Sequence, residues 1–158
     1  MKKLIDKTVL FLATGCGISL VVPFAPGTFG SLPGVALAYA LAFMPFWAQI
    51  AACLALTLLA VPVCGRAEVL LSIRDDGRIS ADEWMLYPIA LVGLPILSLP
   101  WWAMAVFFAV VRLIDIIKPS PAKRLQSLPG GYGVVADDLI ANLYSLAINW
   151  LIMIFLFR

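Results

Sequence analysis

The chain has 158 residues, 63% of them hydrophobic, and a formal net charge of +2 from 11 basic and 9 acidic residues, with no histidine. This composition excludes an ordinary soluble domain, and the length indicates one domain over residues 1–158. The basic residues are interleaved with acids, so no nucleic-acid-binding face is expected. The absence of histidine excludes phosphohistidine chemistry and histidine-activated nucleophiles.

The charged residues are confined to short windows between long uncharged runs. Residues 8–65, 84–111 and 139–157 carry no charge at all. A charge at the centre of a bilayer costs about 2.5 kcal/mol or more, whereas a charge at its surface is tolerated. The pattern therefore indicates an integral membrane protein whose chemistry is collected at the membrane surface.

The first apolar segment, residues 8–22, is too short to span a bilayer. It is also interrupted by Gly15 and Gly17. We therefore expect a short interfacial or re-entrant helix at this point in the chain.

Longer apolar segments follow, and a helix needs about 20 residues to cross a hydrocarbon core. The predicted crossings are two in residues 31–64, broken near Pro45, two in residues 84–117, broken near Pro100, and a fifth in residues 138–157. The sequence thus predicts an all-α integral membrane bundle of about five transmembrane helices plus the short N-terminal helix.

The turns near Pro45 and Pro100 contain Trp but no Lys or Arg. The basic residues lie in the N-terminal tail and in the loops 65–83 and 118–136. Cytoplasmic loops are enriched in Lys and Arg. All three basic regions are therefore expected in the cytoplasm, with Arg158 on the opposite side.

Small residues recur every four positions at Gly30, Gly34, Ala38 and Ala42, which favours close helix packing. A polar stripe along the last predicted helix comprises Asp138, Asn142, Ser145 and Asn149. At 100° per residue these four fall within about 60° of one another. Interhelical hydrogen bonding is expected of Ser145 and Asn149, whereas Asp138 and Asn142 could be near enough to the surface to join a site.

The first acidic pair, Asp82 and Glu83, opens the helix that follows residue 80. Ser80 and Glu83 have the spacing of a capping box. The two carboxylates could equally hold a divalent cation, and both interpretations remain open at this point.

A second charged group consists of Arg112, Asp115 and Lys118, spaced three residues apart near a helix end. The three fall within about 120° of one another. They form either a salt-bridged helix terminus or a functional site, since ionisable residues near the membrane are functional candidates.

Two glycine-containing stretches complete the set. Gly130-Gly131-Tyr132-Gly133 precedes Asp137 and Asp138, of which Asp137 could be a helix N-cap. Pro26-Gly27-Thr28-Phe29-Gly30-Ser31 could cradle a phosphate with backbone N–H groups. On one membrane side, these pieces offer carboxylates for a metal and cations for a phosphate. Oxygen-only ligands favour Mg²⁺.

In order and approximate spacing, these stretches resemble the phosphatidylglycerophosphatase A family of small bacterial membrane lipid phosphatases. The matching motifs are Pro26–Ser31, Asp82-Glu83, Arg112-Leu113-Ile114-Asp115-Ile116-Ile117-Lys118-Pro119, and Gly130-Gly131-Tyr132-Gly133 followed by Asp137-Asp138. The resemblance covers roughly residues 15–145. It implies a magnesium-dependent enzyme of the bacterial cytoplasmic membrane that removes the terminal phosphate of phosphatidylglycerophosphate, leaving phosphatidylglycerol.

The resemblance identifies Asp82, Glu83, Asp115, Asp137 and Asp138 as site acids without showing which bind metal and which acts as base. Our interpretation is that Glu83, Asp137 and Asp138 would hold Mg²⁺, with Asp82 and Asp115 as further ligands or as general base. The predicted phosphate-binding residues are Arg112, Lys118, Thr28, Ser31, Lys123 and Arg124. The lipid chains of the substrate would remain in the bilayer.

Two other classes of protein remain open. A small transporter could use the same acids as coupling sites, although the sequence contains no evident internal repeat. In a noncatalytic membrane scaffold, the charges would only cap helices.

Overall fold

The computed structural model describes residues 2–22, 24–73 and 76–157, and within these ranges it is helical with no strand. Arg158 lies outside the described residues. The helices are α1 (Lys2–Ala13), α2 (Ile18–Val21), α3 (Pro26–Gly30), α4 (Leu32–Ala42), α5 (Phe46–Leu71), α6 (Ala81–Leu86), α7 (Trp101–Ile117), α8 (Ala122–Leu125) and α9 (Gly131–Leu156). Two 3₁₀ turns, Tyr87–Leu91 and Ile96–Ser98, lie between α6 and α7. The predicted all-α fold is confirmed.

Two prolines set helix boundaries as predicted. Pro45 is the N-cap of α5 and Pro100 is the N-cap of α7, both with extended backbone. Proline lacks the N–H that a continuing helix would need. The N-terminal apolar segment is also broken as expected, since Gly15 and Gly17 adopt positive φ between α1 and α2.

Two helices, α5 and α9, are long and apolar enough to cross a membrane by length and composition. Each has 26 residues with a mean hydropathy of 2.0, and only 22% of its most apolar window is buried in the protein. A core helix of a soluble protein would be mostly buried. The exposed side chains on these helices include Trp47, Leu58 and Phe155, and so large an apolar surface indicates membrane association.

The count of five full-length crossings is not confirmed. Helix α4 has 11 residues, which rise about 16 Å at 1.5 Å per residue. Residues 84–99 form the end of α6 and two 3₁₀ turns in place of a continuous helix. Pro88 and Pro95 lack the backbone N–H groups that a continuous helix would need there, and Gly93 adopts a φ of 75°.

The bundle has one end rich in aromatic side chains and one charged end. At the aromatic end the rings of Trp102 and Phe157 stack at 5.1 Å, and the indole N–H of Trp150 donates to the carbonyl of Val92 at 3.2 Å. Helices α5 and α9 are antiparallel, because Phe46 and Trp150 both lie against Gly93 while Gly65 lies against Gly131. The C-terminal part of α5 and the N-terminal part of α9 therefore meet at the charged end.

Close packing at small residues holds the bundle together. A Cβ on Gly34 would lie 2.6 Å from the carbonyl oxygen of Trp84 and from the Cβ of Tyr87. The four-residue spacing of small residues therefore packs α4 against α6 and the first 3₁₀ turn, as the sequence predicts.

We expect Gly131→Ala to destabilise the fold, because a Cβ there would overlap the carbonyl oxygen of Val61 and lie 2.7 Å from the backbone nitrogen of Gly65. Inserting a methyl group into a tight contact typically costs ~1–3 kcal/mol. Thermal unfolding in detergent measures the effect. Gly77→Ala is the matched control, since its Cβ would meet none of the described residues within 4 Å. Equal thermal midpoints for the two variants would contradict this packing.

Candidate active site

A cleft of ≈ 400 Å³ opens at the charged end, between α3, α6, the C-terminal end of α7 and the second turn of α9. Five carboxylates and two cations line it: Asp76, Asp82, Glu83, Asp115, Asp138, Arg112 and Lys118. Four separate stretches of sequence thus contribute to one cleft, as their placement on one membrane side predicts.

Glu83 points into this cleft from the first turn of α6. Its Oε1 accepts a hydrogen bond from Arg112 Nη2 at 3.2 Å, and its Oε2 lies 3.3 Å from Ser31 Oγ. A Cβ on Gly27 would overlap the Glu83 carboxylate, so glycine makes room for this side chain. Burial raises the pKa of Glu83 to about 7, against the opposing charge of Arg112.

The capping-box interpretation of Ser80 and Glu83 is wrong. Ser80 is the N-cap of α6, but its side chain makes no capping hydrogen bond. Its hydroxyl instead lies 2.9 Å from the hydroxyl of Ser19, fully buried. The carboxylate of Glu83 therefore contacts Arg112 and Ser31 in the cleft and does not cap α6.

Arg112 joins two acids from different helices. Its Nη2 lies 3.2 Å from Glu83 Oε1 and 3.2 Å from Asp115 Oδ2, and its Nη1 donates to Ser31 Oγ at 3.3 Å. The pair with Asp115 is the one that helical spacing predicts, whereas the pair with Glu83 requires the tertiary fold. Arg112 is thus part of the cleft and also stabilises the end of α7.

The side chain of Lys118 does not lie on the helix face that it was predicted to share with Arg112 and Asp115. It is the C-cap of α7, with φ 48° and ψ 67°, and its Nζ contacts Asp137 Oδ2 at 2.5 Å. The left-handed backbone turns the side chain towards α9. Base, acid and base therefore meet in the cleft through this turn, and not through a shared helix face.

Asp137 and Asp138 lie in the second turn of α9, because that helix begins at Gly131. The N-cap interpretation of Asp137 is therefore wrong. Both side chains are buried, and Oδ1 of Asp137 has no hydrogen-bond partner in the part of the chain that the structure describes. Neither carboxylate is explained by helix capping.

The donor chemistry of the cleft fits a hard divalent cation. Oδ1 of Asp82 is buried without a hydrogen-bond partner in the described ranges. Burial, together with repulsion from Glu83 and Asp115, raises the pKa of Asp82 well above its usual range. An oxygen-bound cation would offset both the burial and the repulsion.

The carboxylates nevertheless do not form a finished metal site. Among the described residues, no group of three or more Cys, Asp or Glu side chains is arranged to hold a metal ion. Two of the predicted ligands, Glu83 and Asp137, ion-pair with Arg112 and Lys118 instead.

The predicted phosphate-binding residues divide into two groups. Thr28 lines the cleft, and Ser31 lies buried beside it, with its hydroxyl donating to the carbonyl of Gly27 at 2.6 Å. Lys123 and Arg124 are exposed on α8 and do not line the cleft. The structure therefore brings the hydroxyl residues to the acids but leaves these two cations outside.

Comparison with known proteins identifies the family. A family model described as phosphatidylglycerophosphatase A matches residues 11–153. The chain belongs to the phosphatidylglycerophosphatase A family. The predicted resemblance is confirmed, and the family is one of lipid phosphatases. No solved structure matches the chain.

Relatives in three bacteria cover most of the chain. The phosphatidylglycerophosphatase A of Haemophilus influenzae is 35% identical over 87% of this chain and 83% of its own length. That of Escherichia coli is 30% identical over 89% of this chain and 81% of its own. A Bacteroides thetaiotaomicron protein named as a putative phosphatidylinositol-3-phosphatase is 32% identical, over 86% and 87% respectively.

Sequence reasoning assigned no role to Asp76, which also lines the cleft. Asp76 is buried and accepts hydrogen bonds from Arg78 Nη2 at 2.6 Å and from Arg78 Nε at 2.9 Å. The available signal was its place in a charged window between apolar segments. Nothing in the sequence indicated the buried contact between Ser19 and Ser80, because Ser19 lies in an uncharged segment 61 residues before Ser80.

Proposed function

We propose that this chain hydrolyses the terminal phosphomonoester of phosphatidylglycerophosphate, giving phosphatidylglycerol and phosphate for membrane phospholipid synthesis. The observation that supports this most strongly is the cleft in which carboxylates from α6, α7 and α9 meet Arg112 and Lys118, in a chain of this family.

We propose the following roles for the acids of the cleft and for Asp137 beside it. Glu83, Asp137 and Asp138 would hold Mg²⁺, and Asp82 and Asp115 would be further ligands or the general base. When bound, Mg²⁺ supplies positive charge to the phosphate oxygens and lowers the pKa of water. Asp82 or Asp115 accepts a proton of the attacking water as the water oxygen bonds to phosphorus and the bond between phosphorus and the glycerol oxygen breaks. The leaving glycerol oxygen takes up a proton from that protonated carboxyl group or from solvent water.

The cations position the phosphate. Arg112 and Lys118 are held in the cleft by Glu83, Asp115 and Asp137, so they are oriented before substrate arrives. The fork of Arg112 suits two phosphate oxygens, and the Thr28 hydroxyl can donate to a third. Lys123 and Arg124 are exposed near the membrane surface and are proposed to attract the anionic headgroup.

We further propose a multi-pass protein of the bacterial cytoplasmic membrane with its cleft facing the cytoplasm. Helices α5 and α9 span fully, and the proposed five crossings are completed by α4, residues 84–99 and α7. Non-helical backbone at membrane depth is tolerated where protein surrounds it. Residues 85–91 are all buried, which supports placing this irregular segment inside the bundle.

Topology gives a direct prediction. Single cysteines at Lys3 and Lys123 should react with a membrane-impermeant thiol reagent from the cytoplasmic side, because both lie in basic regions. A cysteine at Trp47 should react from the other side, since it lies at the aromatic end. The measurement is labelling in oriented vesicles, in a background lacking the native cysteines. Labelling of positions 3 and 123 from opposite sides would contradict the topology.

The activity is tested with purified protein in mixed micelles. Phosphate release from phosphatidylglycerophosphate should disappear in EDTA and return with excess Mg²⁺, because hard oxygen ligands favour this ion. Isothermal titration of Mg²⁺ into the protein without lipid measures binding independently of turnover. Full activity in EDTA would rule out metal catalysis.

The headgroup requires its own comparison, because one relative is named as a putative phosphatidylinositol-3-phosphatase. Phosphatidylinositol 3-phosphate and phosphatidylglycerophosphate should be assayed side by side. Faster release from the inositol lipid would transfer the proposal to that headgroup. Release from neither lipid would favour the transporter or the scaffold.

A further inference from the structure

A second concave surface lies along the contact between α5 and α9, separate from the catalytic cleft. It has an apolar section of ≈ 520 Å³ bounded by Phe46 and Thr57 on α5, and a second section of ≈ 570 Å³ that begins at Leu58, the next residue of α5, and reaches Arg66 at the charged end. We call this surface the α5–α9 groove. It shares no lining residue with the cleft.

One face of α9 follows the whole groove. Its members are Tyr132, Leu139, Leu143, Leu146 and Trp150, which fall within about 60° of one another at 100° per residue. Asp138 is about 100° away from Leu139 on the same helix. The groove and the acids therefore face different directions, and a lipid in the groove does not present its phosphate to the cleft.

The groove extends through the depth of a bilayer. From Phe46 to Arg66 the helix rises about 30 Å at 1.5 Å per residue, which is about the thickness of the hydrocarbon core. The hydroxyl of Thr57 donates to the carbonyl of Cys53 at 2.9 Å, and the indole N–H of Trp150 donates to the carbonyl of Val92. The apolar section thus presents hydrocarbon, and its polar side chains are already bonded within the protein.

The other end of the groove carries positive charge. Arg66 donates two hydrogen bonds to Oδ1 of Asp6, at 3.0 Å and 2.7 Å, and its other three N–H groups make no hydrogen bond to the residues that the structure describes. Helix α1 also carries Lys2, Lys3 and Lys7, so with Arg66 these four cations outnumber the two nearby acids, Asp6 on α1 and Glu68 on α5. An apolar groove that ends at a cationic surface matches an acyl chain attached to an anionic headgroup.

We propose that the α5–α9 groove binds one anionic phospholipid of the surrounding bilayer, with an acyl chain in the apolar section and the phosphate at Arg66. This site is noncatalytic. It rests on the membrane embedding proposed above but not on the identity of the substrate.

Photo-crosslinking tests the site. The protein is reconstituted in phosphatidylcholine vesicles, and its insertion is confirmed by flotation. The vesicles contain a trace of phosphatidylglycerol with a diazirine in its acyl chain, or of the phosphatidylcholine equivalent. Labelled peptides are then mapped by mass spectrometry. We expect the phosphatidylglycerol probe to label α5 and α9 along the groove several-fold more than the phosphatidylcholine probe does. Unlabelled phosphatidylglycerol should compete.

Three variants sharpen the result. Arg66→Gln should remove the headgroup preference while leaving labelling by phosphatidylcholine unchanged. Leu143→Trp should fill the groove and reduce labelling by both probes without touching Arg66. Glu83→Gln, which alters the catalytic cleft, should label like the natural chain, so failure of the proposed catalysis and failure of this site are separable.

Equal labelling by the two probes, or an unchanged preference in Arg66→Gln, would overturn the proposal. A protein dimer in detergent that dissociates in Leu143→Trp would assign the groove to a second copy of the chain and would also overturn it.

Discussion

Asp137→Asn, Asp138→Asn and Glu83→Gln are each expected to lower phosphate release by at least ~100-fold while the protein remains folded and inserted. That factor corresponds to about 2.7 kcal/mol at ~1.36 kcal/mol per tenfold change in rate. Each substitution keeps the size and hydrogen-bonding shape of the side chain and removes only its charge. A hard divalent cation requires that charge.

The structure removes the capping explanation that would predict mild effects. An Asp at an N-cap tolerates Asn almost without loss, but Asp137 and Asp138 lie within α9 and not at its cap. Glu83 contacts Arg112 and Ser31 and makes no capping contact. A large loss of activity in these variants would therefore result from the loss of a carboxylate in the cleft and not from the loss of a helix cap.

The matched control is Glu68→Gln, which changes a buried carboxylate on α5 that does not line the cleft. It should retain turnover. The measurements are steady-state phosphate release and thermal unfolding in the same detergent. Near-normal release by all three cleft variants would defeat the site assignment, irrespective of the family to which the chain belongs.

The composition of the cleft could be predicted from the sequence because charge placement is a strong physical constraint. An apolar bundle excludes ions from its interior, so the acids and bases of distant segments collect at one end. The helix boundaries at Pro45 and Pro100 could be predicted because proline lacks the backbone N–H that a continuous helix needs. These properties depend on each residue and its immediate neighbours.

The predictions that were wrong concern features that depend on tertiary packing. The spacing of Arg112, Asp115 and Lys118 assumes a continuous helix, but the left-handed backbone at Lys118 turns that side chain towards α9. The last crossing was predicted to begin at residue 138, yet α9 begins at Gly131, where glycine allows close contact with α5. Hydropathy alone also did not reveal that residues 84–99 form turns and not one helix.

Arg112→Gln is expected to reduce both stability and activity, because it leaves Glu83 and Asp115 without their shared partner. Arg112 contacts both carboxylates at 3.2 Å, and its side chain is only 13% exposed. Removing one partner of a buried ion pair typically costs ~3–5 kcal/mol, largely through the charge that remains. Thermal unfolding measures this loss, and phosphate release should fall by at least ~100-fold because the oriented cation for the phosphate is gone.

The double variant Arg112→Gln with Glu83→Gln separates the two roles. Neutralising both partners removes the uncompensated charge on residue 83, so part of the lost stability should return. The recovery should be incomplete, because Asp115 still lacks its partner. Activity should not return, because both the cation for the phosphate and a carboxylate for the metal are missing. If the double variant regained turnover together with stability, Arg112 would serve only to neutralise Glu83, and its assignment to the substrate phosphate would be wrong.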